Sequence, residues 1–117
     1  MPHQIDPRMQ ECIDRCQRCQ ESCLETISHC LEMGGRHAEA DHIRMLIACA
    51  AICDTSARFM LLGSKHHART CDVCAEVCAA CATDCERVDP KDETMQACAE
   101  ACRRCAESCR QMAKTAA

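Results

Sequence analysis

Among 117 residues there is a single aromatic side chain, Phe59, and no tryptophan or tyrosine. Aromatic rings ordinarily carry much of a core's buried area, so this interior must be filled by something else. Glycine and proline are scarce too, three of each, and no stretch approaches the run of about 20 apolar residues that spans a bilayer. The opening MPHQIDPRMQ has no basic n-region followed by an apolar h-region, so it does not read as a secretory signal. The expected compartment is the cytoplasm, with no membrane partner. Positive charge is also in short supply: 14 Lys and Arg stand against 18 Asp and Glu. The basic residues are scattered rather than gathered in a stripe, which removes the electrostatic basis for nucleic-acid binding.

What the chain does have is cysteine, sixteen in all. That density in a short secreted chain would read as a disulfide scaffold. In a reducing cytosol it argues for metal or redox chemistry instead. The length suits one compact domain around one core, spanning residues 1–117.

The few glycines and prolines divide the chain into four segments of similar length. Asp6-Pro7 reads as an N-cap followed by proline at the first helical position, and Gly34-Gly35 as the matching stop. These predict a first helix over about 7–33. A second is expected over 37–62, a third over 64–88 after a Ser64 cap, and a fourth over 90–114 after a second Asp-Pro, Asp89-Pro90. Helix formers fill the interiors, and the links are short. The predicted fold is all-α: an antiparallel up-down-up-down four-helix bundle.

Each helical residue advances by about 100°, which places Cys12, Cys16, Cys19, Cys23 and Cys30 in an arc of about 60° on the first helix. Cys71, Cys74, Cys78, Cys81 and Cys85 cover about 80° on the third, and Cys98, Cys102, Cys105 and Cys109 about 60° on the fourth. The second helix offers Cys49 and Cys53, and Met45, Ser56 and Met60 continue that line. Alternating steps of three and four mark a seam facing a bundle axis, and the charges lie on the opposite faces. The thiols are therefore predicted to line the core.

Several chemistries could use such a core. Free cysteine is a small apolar residue and often buried, but a seam of sixteen fills space poorly compared with Leu or Ile. Thiols four apart on a helix sit about 5–6 Å apart at Cβ, too far for a disulfide, so bridges would have to run between helices, as in a disulfide-stapled adaptor. An iron–sulfur electron-transfer protein is another alternative, although the CxxCxxxCxxC run lacks the closing CP of a ferredoxin. No activated nucleophile stands out, so no enzymatic activity is expected.

Charge favours copper. Two metal–sulfur bonds of about 2.3 Å reach across an i, i+4 pair of thiolates, and Cu(I) is soft and satisfied by two or three sulfurs. With each thiolate bridging two ions, metal and sulfur balance near one to one and the filled core is close to neutral. A Zn(Cys)₄ unit would instead bury a net negative charge, with no inward cation to offset it. Multiple Cu(I) ions are the expected cofactor. Protonated thiols pack as weak hydrophobes, and Ile13, Leu24, Ile27, Leu31, Ile47 and Ile52 are expected to add burial beside the seam.

Methionine and histidine extend the seams beyond the last thiols. Met9, Met60, His67 and Met112 belong to the end holding both termini; Met33, His42, Met45 and Met95 belong to the other. These neutral, weaker ligands could hand Cu(I) inward, and the terminal end, with His66-His67, reads as the entrance. The second helix is apolar around much of its circumference, which points to a homo-oligomer.

The CxxCxxxCxxCxxxC run of Cys71 to Cys85, its echoes Cys12-Cys16-Cys19-Cys23 and Cys98-Cys102-Cys105-Cys109, and the Cys49/Cys53 pair closely resemble the four-helix-bundle copper storage proteins of bacteria. The resemblance covers nearly the whole chain. It implies copper storage or detoxification by a homotetramer, with many Cu(I) ions along each thiolate-lined axis and His and Met at an entrance. Exported members carry a twin-arginine signal, so the resemblance is to the cytosolic form. The second helix is poorer in cysteine than the others.

Overall fold

The computed structural model describes residues 5–115; positions 1–4, part of the stretch that bears on export, and 116–117 lie outside it. Four helices follow one another: α1 Pro7–Met33, α2 Ala40–Leu61, α3 His67–Val88 and α4 Glu93–Thr115, with a 3₁₀ turn at Gly35–Ala38. Each packs against its neighbours in sequence, and α4 closes the ring on α1. The result is the antiparallel four-helix bundle with a cysteine-lined core, 51 Å long and about 20 Å across.

Local chemistry sets the ends. Asp6 caps α1, its Oδ1 accepting the Met9 amide at 3.0 Å, with proline at the first helical positions. Gly34 stops α1 with φ of 70°, its amide donating to the Cys30 carbonyl at 3.1 Å. Three starts differ from the sequence reading. The 3₁₀ turn absorbs 35–38, so α2 begins at Ala40 rather than 37, and His37 is buried in the turn. Ser64 lies in the turn before α3, where its carbonyl accepts the His67 amide at 3.2 Å, and α3 begins at 67. At the fourth helix the second Asp-Pro is a turn, not a cap. Asp89 Oδ1 accepts the Lys91 amide and its Oδ2 meets His37, leaving Asp92 to cap α4 through the Met95 amide at 2.9 Å.

All sixteen cysteines are fully buried. Small alanines flank them: Ala50, Ala57, Ala75, Ala82, Ala99 and Ala106. Of the residues expected to bury beside the seam, Ile13 does so, and Ile27 and Ile52 pack partly against the core. Leu24, Leu31 and Ile47 instead face outward, each more than half exposed. They sit on the outer flanks of α1 and α2, a rotation the thiol seams impose by taking the inner face.

Replacing Asp6 with alanine removes a cap and leaves the seams intact. The reduced, metal-free protein is expected to lose about 1 kcal/mol of stability in denaturant titration while keeping its helical circular dichroism.

Candidate metal centre

The thiols form a continuous column. At the terminal end Cys12, Cys71 and Cys109 gather within 4.8 Å of one another, and Met60 Sδ lies 3.8 Å from Cys71 Sγ. Next come Cys16, Cys74, Cys105 and Cys109, then Cys19, Cys53, Cys78 and Cys105, one from each helix, then Cys19, Cys23, Cys49 and Cys102, all three groups on the same 4.8 Å criterion. The closest approaches are Cys53 to Cys78 at 3.5 Å and Cys12 to Cys109, Cys16 to Cys105, Cys16 to Cys109 and Cys19 to Cys102 at 3.6 Å. Cys23 continues to Cys98 at 3.9 Å, and Cys81 and Cys85 are buried in the same core. Every one of these cysteines is a free thiol.

The i, i+4 pairs are present but do not dominate. Cys74 and Cys78 approach to 3.7 Å and Cys105 and Cys109 to 4.0 Å, whereas most short sulfur contacts cross between helices. Spacing along one helix cannot show this, because cross-helix contacts depend on the register in which the four seams meet. Donors this close, drawn from three or four helices, suit bridging thiolates and multinuclear sites better than isolated two-sulfur ions.

Burial decides the charge of the empty column. Desolvation, aided by the charges of Asp92 and Cys98, pushes Cys30 up to about 11. At Cys71 a hydrogen bond with Cys109 favours the thiolate, but Cys12 and burial outweigh it and the thiol rises to about 12. Inside the column Cys102 is pushed up, chiefly by its hydrogen bond with Cys19.

The two ends differ. Met60 and Met112 are buried at the terminal end and Met9 partly so. His67 donates from Nδ1 to the Ser64 carbonyl at 2.9 Å, and His66 is exposed. At the opposite end Cys30 Sγ lies 3.5 Å from His42 Nε2, 3.7 Å from His37 Nδ1 and 3.6 Å from Met95 Sδ. Among the described residues, the imidazoles that touch a thiol are thus at the loop end, not beside His66-His67. Met45 is half-buried against the core and Met33 is exposed. Carboxylates back the two rings: Asp84 Oδ2 accepts from His42 Nδ1 at 2.7 Å, and Asp89 Oδ2 from His37 Nε2 at 3.0 Å. Each carboxylate fixes the tautomer, so both rings aim a lone pair at Cys30.

Sequence reasoning missed His37, Asp84 and Asp89. The available signal was the concentration of His and Asp in the 29–42 and 84–92 stretches, which the up-down topology brings to one end. Cys30, His42 and Asp84 have the order of a thiol, base and orienting acid, yet Cys30 is fully buried and its thiol is pushed up, the reverse of an activated nucleophile.

The description "copper storage protein" belongs to the family model that matches residues 5–114. The chain is a member of the copper storage protein family. A crystal structure of a Nitrosospira multiformis protein is 49% identical, with a TM-score of 0.85 over 92% of this chain and 95% of that one. The Cu(I)-bound copper storage protein BsCsp3 is 37% identical, with a TM-score of 0.84 over 91% and 98%. Ccsp from Streptomyces lividans, described as a copper storage protein loaded with 10 copper equivalents, is 27% identical, with a TM-score of 0.81 over 97% and 92%. No curated protein matches in sequence.

Because Cys30 is held protonated at neutral pH by burial, and Cys71 chiefly by Cys12 and then burial, each thiol that takes a metal must first lose its proton. Loading the reduced protein in weak buffer at pH 7.5 is expected to release about one proton per Cu(I), read by pH-stat. Apparent affinity should rise about tenfold per pH unit for each proton displaced.

Proposed function

We infer that this protein binds Cu(I) in bulk and holds it as a store, with the buried cysteines as ligands along the bundle axis. The observation that carries this reading is the column itself: sixteen buried thiols, twelve of them with a neighbouring thiol sulfur 3.5–4.0 Å away, and no buried Lys or Arg among the described residues. Only a monovalent, thiophilic ion neutralises such a column at near one metal per sulfur. Divalent Zn(Cys)₄ units and iron–sulfur clusters leave negative charge in a core that offers nothing to balance it.

Cys12, Cys16, Cys19, Cys23, Cys30, Cys49, Cys53, Cys71, Cys74, Cys78, Cys81, Cys85, Cys98, Cys102, Cys105 and Cys109 are the proposed ligands, with Met60, Met95 and Met112 as thioether ends to the column. Met9, Met45 and His67 are more peripheral donors. The loop end is the better candidate for the entrance, since Cys30, His37, His42 and Met95 offer a mixed sulfur and nitrogen set there, with three neutral members that bind without trapping. The role is storage rather than catalysis, in the cytoplasm.

A homotetramer is the proposed assembly. It is supported by exposed Leu24, Leu31, Ile47, Leu61 and Leu62, apolar side chains on or beside α1 and α2 that a free monomer would leave in water.

Titration of the reduced protein with Cu(I) against a competing chelator tests storage: a plateau near the number of thiols is expected, and a plateau at one or two ions would indicate a carrier. His42→Ala is expected to slow loading from the chelator complex about tenfold with capacity unchanged. Equal rates would place the entrance elsewhere.

A further inference from the structure

Outside the thiol column, three side chains bring one metal-ligating atom each to within 4.8 Å of one another: His29, His37 and Asp92. They come from three elements. His29 lies in the last turns of α1, His37 in the 3₁₀ turn, and Asp92 caps α4. His29 Nε2 meets Asp92 Oδ2 at 2.9 Å, and the two imidazoles stand edge to face with centroids 5.7 Å apart. Asp92 is held from its other oxygen by the Met95 amide at 2.9 Å, so its position is set by the helix it caps. The side chains of His37 and Asp92 are 9% and 12% exposed, while that of His29 is 28% exposed and opens the cluster to solvent on one side.

The donor set differs in kind from the column. Two imidazoles and a carboxylate suit a borderline divalent ion, whereas Cu(I) finds softer sulfur at Cys30 and Met95 just inside. Metal–ligand bonds of about 2.0–2.1 Å at a tetrahedral angle place two donors about 3.3 Å apart. The His29–Asp92 pair therefore needs to open by only a few tenths of an ångström. His37 comes prepared: Asp89 takes its Nε2 proton at 3.0 Å, the carboxylate–histidine arrangement that commonly backs a metal-bound ring, and leaves the lone pair on Nδ1.

We propose that His29, His37 and Asp92 form a second metal site, separate from the thiol column, that binds one zinc-type divalent cation at the loop end of the bundle with water in the open fourth position. The site shares His37 with the loop-end set around Cys30, whose sulfur lies 3.7 Å from Nδ1, while His29 and Asp92 belong to it alone. One consequence does rest on the copper-storage reading: His37 has a single lone pair, so an ion bound there withdraws the ring from Cys30 and competes with passage of Cu(I) through it.

Co²⁺ is the probe, because its spectrum separates nitrogen and oxygen ligands from sulfur. With the thiols of the full chain first filled with Cu(I), wild type is expected to take up one further Co²⁺ per chain. Ligand-field bands should appear without thiolate-to-cobalt charge transfer in the near ultraviolet, and Zn²⁺ should displace the ion. His29→Ala is expected to bind Co²⁺ at least about tenfold more weakly with unchanged Cu(I) capacity. Asp92→Asn keeps a capping side chain for the Met95 amide and should show the same loss without a fall in thermal stability, which separates ligand loss from unfolding. Co²⁺ uptake equal in wild type and both variants, no uptake at all, or a charge-transfer band from the extra ion would each overturn the site. If the chain fails to fill with Cu(I), the storage reading fails. The divalent site is then judged by the wild-type minus His29→Ala difference spectrum of the copper-free protein, where a ligand-field signal supports it and a null difference overturns it.

Discussion

A buried thiol in this bundle must carry either a proton or a metal, and the rest of the structure follows from that constraint. A bare thiolate in a core without water or cations is electrostatically untenable. The empty column is accordingly a neutral, weakly hydrophobic interior, and filling it exchanges protons for monovalent ions with little change in net charge. A core that is neutral both empty and full needs no large rearrangement to pass from one state to the other. That fits helices capped by their own side chains, as at Asp6 and Asp92, rather than organised by the metal.

The same constraint explains the distribution of ordinary apolar residues. Cysteine and alanine take most of the inner face of the helices, and the larger buried side chains, such as Ile13, Leu46, Met60 and Met95, are few. Leu24, Leu31 and Ile47 emerge on the outside of α1 and α2, where a soluble monomer would not normally gather them. A core built of thiols thus leaves part of the chain's apolar surface outside it.

The polar chemistry is unevenly divided between the ends. The terminal end is finished with thioethers and a histidine turned toward backbone. At the loop end Cys30 is faced by two imidazoles, each oriented by a carboxylate, with a third imidazole–carboxylate pair, His29 and Asp92, beside them. The donors at this end thus grade from carboxylate and imidazole outside to thiol within, from harder to softer ligands.

The sequence by itself determined the helices, their antiparallel order and the inward course of the thiols, because those depend on the 3.6-residue period and on capping chemistry within a few residues. It also pointed to Cu(I), since ligand softness and charge balance follow from composition. Tertiary structure alone decided which thiols face one another, since partners such as Cys53 and Cys78 depend on the axial register and rotation of whole helices. It likewise decided that Asp92 rather than Asp89 caps α4, because His37, distant in sequence, engages Asp89. The loop-end cluster was hidden for the same reason: His29, His37, His42, Asp84, Asp89 and Asp92 are unremarkable in their separate segments and become a site only where two turns meet.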